Sequence, residues 1–176
     1  MAELRFNTPE GNAVERKTLM LFLNTGTYEE PIWSIIGRRV EDSSMEFDWG
    51  EEATTDVLGE VHTTYKPPVI TQTFEPCELD SADAAQRKIW NQAIRRHDTG
   101  AMTNNDMLVV HSYIGNPKTG VYAERYLSSA VRPSGLGGSS YVGMPITVIY
   151  GGEREEGAAT VINKVVTFTE GVKIDE

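Results

Sequence analysis

Acidic residues crowd one short segment of the chain, and paired carboxylates can perform acid–base catalysis on glycosidic bonds. The acids of this segment are Glu41, Asp42, Glu46, Asp48, Glu51 and Glu52. Acid catalysis requires that one carboxyl be removed from water, whereas this segment has the pattern of polar strand faces and a turn. The regular spacing of a calcium-binding loop is also absent. We interpret the segment as a solvated, charged surface.

The other reactive side chains are scattered along the sequence. His62, His97 and His111 do not share metal-ligand spacing, and Cys77 has no basic neighbour in sequence that would activate its thiol. The glycine-rich stretch 135–138 lacks the lysine and the following helix of a nucleotide phosphate loop. We therefore expect no catalytic residue, no metal and no cofactor, and the chain is not predicted to be an enzyme.

The three tryptophans could form a platform on which a sugar ring stacks. Trp90 falls on the apolar stripe of a predicted helix and Trp33 lies among isoleucines, which predicts that both are core residues. Trp49 follows an alternating segment and precedes a turn. We expect Trp49 alone to be free to meet a partner.

Composition indicates the elements that position these side chains. The chain has 176 residues, with 17 Thr and 15 Val against 9 Leu, and β-branched residues favour strands. One helix is predicted over 81–96, with Asp80 or Ser81 as its N-cap. We predict a mainly β fold, a β-sandwich or barrel-like sheet with one flanking α-helix, in a single domain 1–176 that begins with an arm or loop at 1–16.

Three hairpins are predicted. The first covers about 44–65, with a turn at 50–52 and a long strand 55–65 in which Gly59 marks a bulge. The second joins 107–114 to 121–131 through the turn 115–120. In the last, strands 141–150 and 160–169 flank a charged tip at 151–157. The stretch 134–140 is expected to be a flexible loop.

Charge and hydropathy exclude several functional classes. The net charge is −10, which argues against proteins that coat DNA or bind anionic membranes, since both need a basic surface. No apolar run approaches the roughly 18 residues of a membrane span, and the first residues show no secretory signal. A single cysteine is compatible with a reducing cytoplasm.

Several segments carry a resemblance to a known family. Residues 31–37 (PIWSIIG), 41–49 (EDSSMEFDW) and 54–59 (TTDVLG), the helix within 78–96, and the closing strands ending at 160–169 are similar to the major tail tube proteins of long-tailed bacteriophages. The family pattern is an aromatic, a glycine, an acid-rich strand and turn, and then an aspartate, two aliphatics and a glycine.

The resemblance implies a structural virion protein. Its subunits would form hexameric rings that stack into a hollow tube around a tape-measure protein, with a tail terminator, baseplate or tip proteins and, in some systems, a sheath as further partners. DNA would pass through the tube without specific binding. The tube would belong to the virion tail after assembly in the cytoplasm of the bacterial host.

A polar hairpin is weakly stable alone and gains stability when its edges pair with a neighbour. We therefore predict subunit contacts over 41–56 and at the loops 115–120 and 134–140. The interface candidates are Glu41, Asp42, Ser43, Ser44, Glu46, Phe47, Trp49, Glu51, Glu52, Thr54 and Asp56.

Two other functions remain open from the residues themselves. The first is a β-sandwich module that binds carbohydrate or a protein partner through exposed aromatics and stays monomeric. The second is a small hydrolase that uses the carboxylates of the first hairpin.

Overall fold

A computed structural model describes residues 6–174 of the chain. Strands dominate it, which confirms the mainly β prediction, and β-branched and aromatic residues fill their buried faces. The strands are β1 (Leu19–Asn24), β2 (Trp33–Ile36), β3 (Val40–Asp42), β4 (Met45–Asp48), β5 (Glu52–Thr55), β6 (Val61–Thr64), β7 (Val69–Cys77), β8 (Asn105–Asn116), β9 (Gly120–Pro133), β10 (Ile146–Tyr150), β11 (Arg154–Ile162) and β12 (Val165–Glu170).

Ten strands form one curled, antiparallel sheet. Its main order is β2-β1-β8-β9-β10-β7-β3, with β11 and β12 branching from β9 and with β4 pairing to β7. The long strand β9 makes the branch possible, because residues 121–126 pair with β11 and residues 130–133 pair with β10. The curl brings β12 against β2 without pairing them.

Alternation along the strands divides the buried side chains between two cores. On β8, Met107 and Val109 join one core with the helix and with β7 and β10. Leu108 and Val110 point the other way into a second core, with Phe22, Trp33, Ala159 and Val166. Trp33 is 9% exposed, so the prediction that it is a core residue is confirmed.

The flanking helix lies within the segment where it was predicted. Helix α1 covers Ala84–Trp90 and continues as π-helix over Asn91–Arg95. Its N-cap is Asp83, whose carboxylate accepts from the amide of Gln86, so the prediction of Asp80 or Ser81 as the cap was wrong. A one-turn helix, α2 (Thr99–Met102), follows.

One face of α1 packs against the first core through Ala85 and Ile89, while Ala93 is buried in the π-helical turn. Trp90 is 38% exposed, which contradicts the prediction that it is a core residue. The reason is geometric, because a residue adjacent to Ile89 lies roughly 100° around the helix from it. Among the described residues, no helix is long and apolar enough to cross a membrane.

Two of the predicted hairpins differ from the structure. Residues 56–60 form the turn of the first hairpin, between β5 and β6, so the predicted reversal at 50–52 and the bulge at Gly59 were wrong. The last hairpin joins β11 to β12 through Asn163 and Lys164, both at positive φ. Strand β10 pairs with β9 and β7 instead, so residues 151–157 are not the tip that was predicted.

The hairpin of β8 and β9 is confirmed, with its turn at Asn116–Thr119. Residues 1–5 of the predicted arm lie outside the described residues. From Phe6 onward the arm contacts β8, because Phe6 bridges Ile114 and the Asn7 side-chain amide donates to the carbonyls of Ser112 and Gly115.

Candidate functional site

The first hairpin is a long ribbon that extends beyond the curled sheet. Its base is the pairing of β4 with β7, from Met45 opposite Gln72 to Asp48 opposite Val69. Beyond Gly50, β5 and β6 continue the ribbon as a separate two-stranded sheet. The amide of Lys66 donates to the Trp49 carbonyl at 2.8 Å where the two parts meet. Trp49 thus lies midway along the ribbon. The prediction that it stands next to the turn of the hairpin was wrong.

An aspartate organises the turn at the end of the ribbon. One carboxylate oxygen of Asp56 accepts from the amides of Leu58 at 2.8 Å and Glu60 at 3.0 Å. The other oxygen lies 3.0 Å from the Nε2 atom of His62. These bonds, that of His62 first, hold the pKa of the Asp56 carboxyl below its usual value. The turn therefore has a defined shape although it is surrounded by water.

Every residue of β5 and β6 is exposed. At the turn, Val57 is fully exposed and Leu58 is 83% exposed. Phe47 and Trp49 are also half exposed, and their rings stack at 6.0 Å with an interplanar angle of 14°. These two pairs of exposed apolar side chains lie among polar residues, an arrangement found at interaction sites.

The predicted interface residues all lie on the ribbon or on the short strand that leads into it. Ser43 and Asp56 are half-buried, and the other nine are exposed: Glu41, Asp42, Ser44, Glu46, Phe47, Trp49, Glu51, Glu52 and Thr54. Ser43 accepts from Gln72 at 2.8 Å, and Glu52 pairs with Lys66 at 2.7 Å. Contact between these residues and another subunit stays a prediction. So does contact at the loop 115–120, of which residues 116–119 are exposed, and at the exposed loop 134–140.

Folding brings together one group that the linear spacing did not indicate. Asp56, Glu60 and His62 place ligand-type atoms within 4.8 Å of one another at the end of the ribbon. His62 was judged from histidine spacing alone, and the turn at 56–60 is what brings the two acids to it. Because Asp56 already accepts two amides, the group serves first to shape the turn.

A second group missed by the sequence analysis lies on the curled sheet. His111, Glu124 and Arg154 come from three adjacent strands, with Nε2 of His111 at 3.1 Å and Nε of Arg154 at 2.7 Å from the Glu124 carboxylate. Burial opposes ionisation of Glu124, but these two bonds outweigh it and lower its pKa. Burial raises the pKa of Tyr122, which lies beside the same carboxylate.

The third polar group is an ion pair that joins the adjacent strands β8 and β9. Arg125 donates to both carboxylate oxygens of Asp106, at 3.0 and 2.7 Å, and its guanidinium stacks over the ring of Tyr28. The fork geometry of the pair suits a structural ion pair between strands. Cys77 is buried, and burial raises the pKa of its thiol, so it lacks the activated environment of a nucleophile.

No protein-family model matches the chain, and no curated protein matches it significantly. Among solved structures, the chain is similar to a chain of the sheath–tube complex of an extracellular contractile injection system in its extended state. The identity is 9% and the TM-score 0.48, over 85% of this chain and 94% of that chain.

The chain is also similar to the cap that terminates the tube of the anti-feeding prophage, at 12% identity and TM-score 0.45, over 94% of this chain and 99% of that chain. A sheath/tube terminator of an extracellular contractile injection system gives 8% identity and TM-score 0.47, over 84% of this chain and 98% of that chain.

Proposed function

We propose that this protein is a structural subunit that assembles with copies of itself into a hollow tube of the phage-tail type. The observation that carries the proposal is the ribbon of β5 and β6, whose strand residues are all exposed and whose turn presents Val57 and Leu58 to water. Such a surface gains stability when another chain covers it.

Energetics favour a neighbour for the ribbon. An isolated two-stranded ribbon is marginally stable, because it buries little apolar surface to offset the entropy of ordering its backbone. Its outer edges also leave backbone amides and carbonyls free to pair with another chain. Contact with a second subunit would satisfy those groups and cover Phe47, Trp49 and the apolar turn.

The contact would join different surfaces of two identical subunits. Such head-to-tail contacts close into rings when the rotation closes, and they continue as filaments when it does not. In the proposed assembly, hexameric rings stack into a tube around a tape-measure protein, and terminator and baseplate proteins close its ends. The net charge of −10 suits a conduit through which DNA passes without adhering, because adhesion requires cationic groups that release counterions.

The first experiment asks whether the purified chain assembles. We expect sedimentation velocity over a concentration series to show large species, and negative-stain microscopy to show rings or tubes. The double variant Phe47→Ser/Trp49→Ser should prevent growth while leaving the circular dichroism spectrum unchanged, because both side chains lie half exposed on the ribbon.

The matched control is Val14→Ser/Val172→Ser, which removes two partly exposed apolar side chains remote from the ribbon in sequence. It should assemble like the parent chain. A parent chain that stays monomeric at every concentration of the series would overturn the proposal.

One observation favours a second function. The parallel, half-exposed rings of Phe47 and Trp49 offer a flat apolar face of the kind on which sugar rings stack. A carbohydrate-binding module would remain monomeric and would bind oligosaccharides in calorimetric titrations, with binding lost in the Phe47→Ser/Trp49→Ser variant. Assembly of the parent chain without any sugar binding would exclude this function.

A further inference from the structure

A cleft opens where the curled sheet fails to close. Strand β2 pairs only with β1, and β12 pairs only with β11, within the described part of the chain. Between them, at the beginning of α1, lies a cavity of about 400 Å³. Its floor belongs to the second core, and its apolar lining is formed by Met20, Phe22, Trp33, Ile35, Val161 and Val166. We name this feature the β2–β12 cleft.

The rim of the β2–β12 cleft is basic. Arg38 and Lys164 line it from opposite sides, both are exposed, and neither forms an ion pair with any residue of 6–174. The acid in the lining is Asp83, which is buried and accepts from the amide of Gln86 as the N-cap of α1. The cleft therefore combines an apolar floor with two cations that have no acidic partner within residues 6–174.

The turn of the ribbon has the opposite chemistry. Val57 and Leu58 project into water, and they stand between the acids Asp56 and Glu60. The exposure of Val57 and Leu58 also means that the turn does not enter the cleft of its own subunit. We name residues 56–60 the ribbon tip.

We propose that the ribbon tip of one subunit inserts into the β2–β12 cleft of the next subunit. The inference rests on the proposed function and names the surface that receives the ribbon. Val57 and Leu58 would cover the apolar floor, while Asp56 and Glu60 would face Arg38 and Lys164. An apolar projection that fits a pocket elsewhere on an identical molecule produces a contact that repeats from subunit to subunit.

The contact also accounts for the open edges of the sheet. Within residues 6–174, β2 and β12 each leave one side of their backbone unpaired, and β5 or β6, which flank the ribbon tip, could pair with either. Attraction between the acidic tip and the basic rim would favour this contact over one between two tips or between two clefts, because like charges repel.

Charge reversal tests the contact directly. Glu60→Lys places a cation opposite the basic rim, and Arg38→Glu places an acid opposite the acidic tip. We expect each single variant to raise the concentration required for half-maximal assembly at least tenfold, and the double variant Glu60→Lys/Arg38→Glu to restore it to within a few-fold of the parent. Arg38 is preferred to Lys164 for this test because Lys164 occupies a strained positive φ.

The matched control for Glu60→Lys is Glu10→Lys, which changes the net charge by the same amount and sign at another exposed acid. It should assemble like the parent chain. Singles that assemble like the parent, or a double variant that is as impaired as the singles, would overturn the proposed contact. Circular dichroism and thermal melting confirm that each variant folds.

Cross-linking supplies an independent readout. Chains with Leu58→Cys are mixed with chains carrying Ile35→Cys, and oxidation should give a disulfide dimer only in the mixture, since native Cys77 is buried. Leu58→Cys mixed with Val14→Cys is the control and should give none. Tubes that form without this cross-link would overturn the contact while leaving the proposed function intact, whereas a parent chain that never assembles would remove both.

Discussion

The buried polar residues of the curled sheet are stabilised by hydrogen bonds to side chains on adjacent strands. Glu124 is 13% exposed at its side chain, His111 is 17% exposed, and Arg154 bonds the same carboxylate from β11. Tyr122 and Tyr113 border the cluster. A carboxylate in such a place is stabilised as an anion only while its donors are present.

This cluster leads to a pH prediction. A carboxyl whose pKa is lower in the folded state contributes stability above the unfolded pKa of about 4.3, and that contribution is lost as the pH falls through the folded pKa. Glu124→Gln should therefore cost about 2 kcal/mol at pH 7, the scale of hydrogen bonds to a charged group. The difference from the parent should shrink below about pH 4.

Urea denaturation at pH 7, 5 and 3 measures this difference, at a protein concentration at which the chain stays unassembled. Glu153→Gln, at an exposed acid in the β10–β11 connection, should show no deficit at any of these pH values. A deficit for Glu124→Gln that stayed constant down to pH 3 would mean that packing, and not the ionised carboxylate, accounts for its effect.

At the scale of elements, α1 shows how a cap is selected. Asp80, Ser81 and Asp83 are all suitable N-cap residues, but Asp83 alone has its side chain on the amide of Gln86, at 3.0 Å. Asp80 instead accepts from the amide of Ala82, before the helix begins. Gln86 then donates to the carbonyl of Glu78, which fastens the start of the helix to the end of β7.

Asp83→Ala should destabilise the fold by about 1 kcal/mol, because it leaves the first-turn amides without an acceptor. For a chain of this length the melting temperature should fall by about 2–4 °C. Ser81→Ala, at an exposed residue two positions earlier, should change it by less than 1 °C, within the usual range of about 0.5 kcal/mol for surface substitutions. Equal losses in the two variants would contradict the assignment of Asp83 as the cap.

The ribbon shows what the alternation of apolar and polar residues predicts about an element and what it misses. Alternation at Met45, Phe47 and Trp49 predicted a half-exposed strand. The structure has a strand over Met45–Asp48, but its apolar face is not buried, because Phe47 is itself exposed. The turn at 56–60 was missed because Thr and Val on both sides favour a continuous strand. Four bonds to Asp56 decided otherwise, one at its amide, one at its carbonyl and two at its carboxylate. An aspartate that accepts from amides two and four residues later makes a turn.

At the scale of the whole molecule, the net charge bears on whether the protein binds nucleic acid. The net charge of −10 has the wrong sign for binding duplex DNA, because affinity for it comes from cationic groups that release counterions from the phosphate backbone. We expect no retardation of duplex DNA by the protein at 0.15 M salt and micromolar concentration. The measurement is an electrophoretic mobility assay at 0.05 and 0.15 M salt, with assembled and unassembled protein tested separately.

Retardation that weakened steeply between the two salt concentrations would reveal a local cationic surface. That result would count against a non-adhesive conduit. Retardation of DNA by the assembled protein alone would place the cationic surface on the assembled tube and not on the single subunit.

The sequence by itself determined the kind of element that most segments form and the burial of Trp33, but not the exposure of Trp90. Alternation of apolar and polar residues is a local property, so the strand-rich fold, the helix near 84–95 and the exposed acidic hairpin could all be predicted from it. The order of the strands could not be predicted, because pairing such as that of β10 with β7 and β9 joins segments far apart in the chain.

The β2–β12 cleft and the residues on its rim are visible only in the tertiary structure. Arg38 and Lys164 are separated by most of the chain, and they reach one rim only because the sheet curls until β12 meets β2. Curl depends on the accumulated twist of every strand and on how the two cores pack, and no local pattern encodes that sum.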